Sequence, residues 1–283
     1  MTDSPERITE CWARLNEHLE SLGLEPASSY VNEAVFDGHL RIYPTLRCNL
    51  RCPYCVNEQM GATFKKYQLA PPEKWAEAIN REKRHVVFTG GEPFLYPNLD
   101  RLANFIDPEL RVRIYTNLCL GVLETLRKIK RRVHFFVSWH PRKGAEKDTF
   151  LANLNYILDA PHMTADIHVI DAEETRELLA EDLKYFRSKG IDPNVDSDQR
   201  TFEGSGRAEP VTAYCRRRIY LIAPDGTRYQ CVSRLMRRVR PMENFFETPL
   251  GPEANVDICG EFGNCAPCDS LGETAMAIIK KQD

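Results

Sequence analysis

Residues 39–55 read HLRIYPTLRCNLRCPYC, in which a short apolar segment runs directly into a loop that carries three cysteines. The apolar segment at 39–44 has the composition of a β-strand. Cys48, Cys52 and Cys55 follow it in CxxxCxxC spacing. The loop is therefore expected at the carboxyl end of a first strand, where α/β sheets bind their ligands. Three thiolates at that position predict a metal centre.

Downstream of this loop the chain alternates short apolar segments with longer helical ones. Six such units are too few to close an eight-stranded barrel, so the pattern favours either a partial barrel or a doubly wound parallel sheet. The predicted strands lie at 39–44, 85–89, 112–116, 133–138, 164–170 and 192–196, and the predicted helices at 72–82, 97–106, 120–130, 147–159 and 173–189.

Composition narrows the class of protein. The chain has 283 residues, of which 42% are hydrophobic, and a formal net charge of −3, which argues against a general nucleic-acid binder. No apolar run approaches the roughly 20 residues that span a bilayer, and the N-terminus lacks the apolar core of a signal peptide. We therefore predict a cytoplasmic protein with no membrane partner. Its ten cysteines then favour metal ligation or thiol chemistry over disulfides.

The predicted domain organisation has three parts. Residues 1–36 form a helical N-terminal extension, residues 37–200 form the α/β core, and residues 211–283 form a small cysteine-rich α+β domain. The polar, glycine-containing segment 200–210 reads as a linker. Within the last part we expect a hairpin at 218–231 that turns at Asp225-Gly226, and a terminal helix from about residue 270.

The number of cysteines in the first loop helps to identify the kind of metal centre. A structural zinc site is normally closed by four ligands, whereas no further Cys or His follows Cys55 within 29 residues. An iron–sulfur cubane held by three cysteines leaves one iron open to a small molecule. A zinc site completed by a distant residue, and cysteines with no ligand role, are the alternatives.

The cysteine loop, together with TGGEP at 89–93, resembles the radical S-adenosylmethionine superfamily over about residues 37–200. The resemblance implies a partial (β/α)6 TIM-like barrel and a 4Fe–4S cluster on Cys48, Cys52 and Cys55. It also implies that S-adenosylmethionine chelates the open iron. Reduction of the cluster then cleaves this cofactor to methionine and a 5′-deoxyadenosyl radical, which abstracts hydrogen from a substrate.

The same resemblance suggests where S-adenosylmethionine binds. The glycine-rich turn would approach the methionyl part, the aromatic residue before the third cysteine would lie near the adenine, and the ends of later strands would complete the site. A tight turn capped by Glu92 and simple loop packing of Tyr54 are the structural alternatives. The predicted cofactor-binding residues are Tyr54, Gly90, Gly91, Glu92, Pro93, Asn117, Ser138 and His168.

A second group of cysteines lies in the last part of the chain. Cys215 and Cys231 flank the predicted hairpin, and CGEFGNCAPC at 259–268 supplies three more. This order resembles the Twitch domain, a shorter relative of the SPASM domain. The resemblance implies an auxiliary 4Fe–4S cluster on Cys215, Cys231, Cys265 and Cys268. Cys259 is then a replacement ligand, a hydrogen-atom donor to a substrate radical or a spare thiol, and a zinc ribbon is the alternative for the whole group.

The segment between residues 211 and 241 is strongly basic, with eight arginines and one acid, Asp225. Arginine suits carboxylates and phosphates, so an anionic substrate or an acidic electron donor such as flavodoxin or ferredoxin fits this segment. Solvation of a small domain, or neutralisation of a thiolate cluster, explains it equally well.

Three functions remain open at this point. The first is a radical enzyme that acts on a small molecule, by dehydrogenation, epimerisation or a related oxidoreduction. The second is a maturase that modifies a peptide or protein side chain, although only about 38 residues precede the first strand, fewer than a peptide-recognition domain uses. The third is a noncatalytic zinc-binding module.

Overall fold

The computed structural model describes residues 39–55, 57, 68–141, 147–198, 211–217, 219–250, 255–262 and 274–278. The predicted N-terminal extension, the linker, Cys265 and Cys268 lie outside these residues. In the described part of the chain, none of the helices has the length and apolar character needed to cross a bilayer.

The central sheet has eight strands in the order β6-β5-β4-β3-β2-β1-β8-β9. Strands β1 to β6 are parallel and adjacent in chain order, which confirms the predicted mostly parallel α/β sheet. A doubly wound sheet reverses its strand order at a switch point, and this sheet does not. The six strands are β1 Leu40–Thr45, β2 Val86–Gly90, β3 Val112–Thr116, β4 Val133–Trp139, β5 Met163–Asp171 and β6 Asn194–Ser197.

Among the described residues, five α-helices lie between these strands. The helices predicted at 72–82 and 147–159 have those bounds, and the other three are shorter than predicted. Asn98, with φ 60°, delays the start of the second helix, and the segment 173–175 is a separate 3-10 turn. The helices are α1 Pro72–Glu82, α2 Leu99–Phe105, α3 Leu123–Lys128, α4 Lys147–Asp159 and α5 Arg176–Ser188.

Strand β4 shows how the two faces of the sheet differ. Its alternate residues Val133, Phe135, Val137 and Trp139 are buried in the main core against the helices. The residues between them are only partly buried, because successive side chains of a strand point to opposite faces. We call this second face, opposite the helices, the open face.

The predicted hairpin is present, but it belongs to the central sheet. Strand β8, Tyr220–Ile222, pairs antiparallel with β9, Arg228–Tyr229, and parallel with β1. A short helix, α6 (Val232–Arg237), follows it. Leu235 of this helix joins a second core with Tyr43 and Leu46. The hairpin and α6 therefore pack directly onto the strand that leads into the cysteine loop.

A second sheet has three antiparallel strands in the order β10-β7-β11. They are β7 Val211–Arg217, β10 Asn255–Phe262 and β11 Thr274–Ile278. The helix predicted from about residue 270 is therefore wrong over 274–278. Alanine and methionine favour helix locally, but pairing with β7 supplies backbone hydrogen bonds that override this propensity.

We expect Leu235→Ala to lower the free energy of unfolding of the whole central sheet by about 2–5 kcal/mol, because it opens a cavity in a core that includes β1. Leu154→Ala, in the main core, is the matched comparison. Urea unfolding followed by circular dichroism and tryptophan fluorescence should show one shifted transition for each variant. A separate early transition for Leu235→Ala, with the main transition unmoved, would contradict this expectation.

Candidate functional site

The cysteine loop and the GGEP turn are joined by their backbones. Gly91 N–H donates to Thr45 O at 3.2 Å, and Glu92 N–H donates to Arg47 O at 2.8 Å. A Cβ on Gly91 would lie 2.0 Å from Arg47 O, and Gly90 has φ +127°. The two glycines therefore permit the turn to lie against the start of the cysteine loop. The approach of this turn to a ligand, expected from the sequence, stays a prediction.

Glu92 is the buried acidic residue of the site, with 1% of its surface exposed. Its Oε1 accepts hydrogen bonds from Thr116 Oγ1 at 2.8 Å and from Phe94 N–H at 3.1 Å. Its Oε2 accepts one from Asn117 N–H at 2.8 Å. The carboxylate therefore caps the 3-10 turn Pro93–Leu95 and also holds the end of β3, so the predicted cap is one of its two roles. Burial raises the pKa of Glu92 to about 7, although these three donors act to lower it.

Asn117 connects the end of β3 to the cysteine loop. Its Nδ2 donates to Asn49 Oδ1 at 3.0 Å and lies 3.9 Å from Cys48 Sγ. The backbone beyond it turns sharply, since Leu118 has φ 50°. Asn153 of α4, which is 1% exposed, holds this turn by donating to Leu118 O at 2.9 Å. Sequence reasoning missed Asn49 and Asn153, and an asparagine at an apolar position of α4 is the signal for the second.

The three cysteines of the loop are thiols that form no disulfide with the described residues. Leu50 N–H donates to Cys48 Sγ at 3.4 Å, an N–H···S bond of the kind that tunes cluster ligands. Cys48 is exposed at the surface, but partial desolvation of its thiol raises the pKa to about 11, and Glu92 and Cys55 act in the same direction. This thiol is therefore neutral in the metal-free protein, so binding of a metal must release its proton.

This loop fits a cubane cluster. In the part of the chain that the structure describes, no three His, Cys, Asp or Glu side chains converge on a single ion position. A cubane does not need such convergence, because each cysteine binds a different iron. Three cysteine thiols on one loop, with N–H donors from Leu50 and Asn117 toward Cys48, are the donor set that such a cluster uses.

The second half of the loop is held by two side chains. The Tyr54 hydroxyl lies 2.9 Å from Nδ1 of His140, which is the first residue after β4. Asn57 Nδ2 donates to Gly90 O at 2.8 Å. Tyr54 is 7% exposed, so loop packing describes part of its role. These contacts join the cysteine loop to both β2 and β4.

Ser138 and His168 lie on the open face and are in register on β4 and β5. The His168 ring stacks on Phe136 with a centroid distance of 3.8 Å, and its Nδ1 lies 2.9 Å from Asp196 Oδ2. The structure thus brings Tyr54, the GGEP turn and Asn117 together around the cysteine loop. Ser138 and His168 lie one and two strands farther along the sheet from β3.

The second cysteine group is described only in part. Cys215 is buried in β7, and its carbonyl accepts a hydrogen bond from Gln230 Nε2 at 3.2 Å, which brings the residue before Cys231 beside it. Cys259 lies on the neighbouring strand β10, in register with Ala213. The ligand set predicted for an auxiliary cluster therefore stays a prediction.

Several arginines of the basic segment are paired with acids. Arg228 lies 3.4 Å from Glu243, and Arg238 lies 3.5 Å from Asp225. Arg237 lies 2.7 Å from Glu261 and, as the largest cause, lowers the pKa of this carboxyl. Glu243 and Glu261 come from outside the arginine-rich segment, so its +7 local excess is partly neutralised in the fold.

Between about pH 5 and about pH 8, we expect the free energy of unfolding of the metal-free wild type to fall. The fall should be larger than that of the Glu92→Gln variant over the same range. The folded carboxyl keeps its proton up to about pH 7, whereas the unfolded one releases it near 4.5. The stabilisation is complete below pH 4.5, is lost as the pH rises through 7, and amounts to about 3 kcal/mol. Urea unfolding across this range measures it. Parallel stability curves for the two proteins would be the contrary result.

This chain resembles known proteins in sequence and in fold. The chain is 29% identical over 192 residues to 7-carboxy-7-deazaguanine synthase of Aquifex aeolicus (strain VF5), covering 65% of this chain and 77% of that protein. It is 33% identical over 99 residues to GTP 3′,8-cyclase of Sulfurimonas denitrificans, covering 32% of this chain and 30% of the cyclase. The crystal structure of Streptococcus suis SuiB bound to precursor peptide SuiA superimposes with a TM-score of 0.53 at 15% identity, covering 88% of this chain and 70% of SuiB, which is a likeness of fold.

A protein-family model identifies the superfamily to which the chain belongs. The model for the radical SAM superfamily matches residues 42–186, just over half of the chain. That range contains the cysteine loop, the GGEP turn, Asn117 and strands β2 to β5. The chain belongs to the radical SAM superfamily.

Proposed function

We propose that this chain is a radical enzyme that removes a hydrogen atom from a small-molecule substrate, with Cys48, Cys52 and Cys55 as the ligands of its 4Fe–4S cluster. The observation that supports this proposal best is the pair of backbone hydrogen bonds that join the start of the cysteine loop to the GGEP turn. When bound, the cluster and S-adenosylmethionine supply methionine and the 5′-deoxyadenosyl radical. The protein supplies orientation and exclusion of solvent.

The roles of the surrounding residues follow from their contacts. Among the described residues, Glu92 Oε2 has one donor, Asn117 N–H, so it keeps a lone pair for a cationic group such as the methionyl ammonium. Gly90, Gly91 and Pro93 hold the turn that presents this carboxylate. Tyr54, fixed by His140, is assigned to the adenine side. Ser138 is assigned to the ribose because it lies on the open face beyond β3.

A small-molecule substrate is supported by the names of the relatives. One relative is named as the synthase of a deazaguanine and another as a cyclase of GTP. We assign this chain a dehydrogenation, an epimerisation or a related oxidoreduction. Side-chain modification of a peptide is the second candidate, since the SuiB structure contains a precursor peptide, but that likeness concerns the fold alone.

The last part of the chain is proposed to hold an auxiliary cluster. The contact between Gln230 and the Cys215 carbonyl supports it, because it brings the two ends of the hairpin segment together. The proposed ligands are Cys215, Cys231, Cys265 and Cys268 in a Twitch-like domain over 211–283, and Cys259 is the candidate hydrogen donor. The arginines of this region are assigned to an anionic substrate or to a flavodoxin or ferredoxin-type electron donor.

The first experiment measures iron and acid-labile sulfide per chain in anaerobically purified protein. We expect about eight irons in the wild type and about four in the variant Cys48→Ala, Cys52→Ala, Cys55→Ala, since each cubane holds four irons. This variant should also lose cleavage of S-adenosylmethionine. The matched control is Cys119→Ala, a buried thiol outside both groups. Zinc with little iron, or cleavage retained in the triple variant, would refute the assignment and favour a zinc-binding module.

The second experiment tests the auxiliary cluster with Cys231→Ala and Cys215→Ala. We expect each variant to lose about four irons while it keeps the first cluster and uncoupled cleavage of S-adenosylmethionine. Electron paramagnetic resonance of the reduced protein should lose one of two signals. An unchanged iron content in both variants would rule these residues out as ligands.

A further inference from the structure

Asn153 is a polar residue on the apolar face of helix α4. It is buried between Phe150 and Leu154, with 1% of its surface exposed. Its Nδ2 donates to two backbone carbonyls of another segment, Leu118 O at 2.9 Å and Leu120 O at 2.6 Å. A side-chain amide has two N–H donors, so each of them serves one carbonyl. Asn153 therefore holds the turn that follows β3 from the helical side of the sheet.

The turn at 117–120 has an unusual backbone. Leu118 has φ 50°, in the left-handed region that a residue with a Cβ enters only at a cost in free energy. The turn brings Cys119 N–H back to the side chain of Asn117, where it donates to Oδ1 at 2.9 Å. The hydrogen bonds from Asn153 lie on both sides of Cys119, so they stabilise this conformation.

The Cys119 N–H determines which way the Asn117 amide faces. A backbone N–H needs an acceptor, so Oδ1 lies toward Cys119 and Nδ2 lies toward the cysteine loop. Nδ2 donates to Asn49 Oδ1 at 3.0 Å and lies 3.9 Å from Cys48 Sγ. A reversed amide would place an oxygen beside the sulfur. The turn therefore sets the sign of the amide dipole that Cys48 faces.

The direction of this dipole affects a cluster bound by Cys48. Reduction adds one negative charge to an iron–sulfur cluster, and hydrogen bonds to its sulfurs help to set the reduction potential. The N–H end of an amide stabilises negative charge, whereas its oxygen repels it. Asn117 is 5% exposed, so water screens this effect weakly. An N–H that faces Cys48 therefore makes the cluster easier to reduce.

We propose that Asn153 is a positioning residue that keeps the Asn117 N–H facing Cys48 and so raises the reduction potential of the cluster on the cysteine loop. The inference rests on the proposed function, because it requires a 4Fe–4S cluster at this place. Asn153 acts through the turn at 117–120. A cluster with a higher potential accepts its electron from a weaker reductant.

Asn80 provides a matched control at the opposite end of β3. It lies on α1, where its Nδ2 donates to Phe105 O at 3.0 Å and its Oδ1 accepts from Asp107 N–H at 2.8 Å. Asn80 thus holds the segment that enters β3, as Asn153 holds the segment that leaves it. Loss of either amide removes hydrogen bonds between a helix and a loop. Of the two, Asn153 is the one joined to Cys48 through Asn117.

The first test measures the reduction potential of the cluster by an anaerobic redox titration followed by electron paramagnetic resonance. The signal is assigned by its loss in the variant Cys48→Ala, Cys52→Ala, Cys55→Ala. We expect Asn153→Ala to lower the potential by about 59 mV, a tenfold shift of the one-electron equilibrium toward the oxidised form. Asn80→Ala should keep the wild-type potential.

Two results of this titration would overturn the proposal. One is an unchanged potential in cluster-loaded Asn153→Ala. The other is an equal shift in Asn80→Ala, because a general loss of stability would then be the cause.

The second test asks whether Asn153 acts through Asn117. If it does, Asn153→Ala should add nothing in a protein that already carries Asn117→Ala, because residues of one hydrogen-bonded network are not additive. We expect Asn117→Ala and the double variant to have equal reduction potentials. Additive shifts would show two independent effects and would contradict the route through Asn117.

The third test uses the metal-free protein and measures hydrogen exchange of the Cys119 N–H. We expect this amide to exchange on the order of 100-fold more slowly in the wild type than in an unstructured peptide, because it donates to a buried side chain. Exchange should be faster in Asn153→Ala and unchanged in Asn80→Ala. An unprotected Cys119 N–H in the wild type would overturn the proposal, even where a variant fails to fold.

The outcomes distinguish this proposal from the one on which it rests. A wild type that binds iron and sulfide, with a potential that Asn153→Ala does not change, would overturn the positioning role and leave the radical function standing. A wild type that binds no cluster on the cysteine loop would overturn the proposed function itself.

Discussion

The site depends on two backbone hydrogen bonds, from Gly91 to Thr45 and from Glu92 to Arg47. They join the carboxyl ends of β1 and β2 so that the cysteine loop begins against the GGEP turn. Any side chain at position 91 would overlap the Arg47 carbonyl, so the turn can approach only as glycine. Motifs that lie about 40 residues apart in sequence thereby become one surface.

The buried carboxylate of Glu92 extends this surface to the third strand. Burial of an ionised group is costly, and three donors offset part of that cost. The raised pKa shows that the compensation is incomplete. A nearby cation would favour the ionised form and so lower this pKa.

Local sequence patterns predicted the parts of the fold that follow from local physics. The six parallel strands and the helices α1 and α4 were found from periodicity, and the cysteine loop and the GGEP turn from their motifs. Sequence patterns did not predict the pairing of β8 with β1 or the strand at 274–278, because both depend on partners far away in sequence. The role of Asn153 was not predicted for the same reason, since its side chain donates hydrogen bonds to carbonyls of another segment.

Alternate residues of β4 point to the helical core and to the open face. Trp139 is buried among Phe150 and Phe186 of the helical side, while Ser138 lies on the open face. A shift of one residue in register would exchange them, burying the polar group and exposing the tryptophan. The core thus fixes the register of the open face, and His168 meets Asp196 because β5 and β6 are held in that register. Side chains of the open face can therefore be replaced without disturbing the core that holds the strands in register.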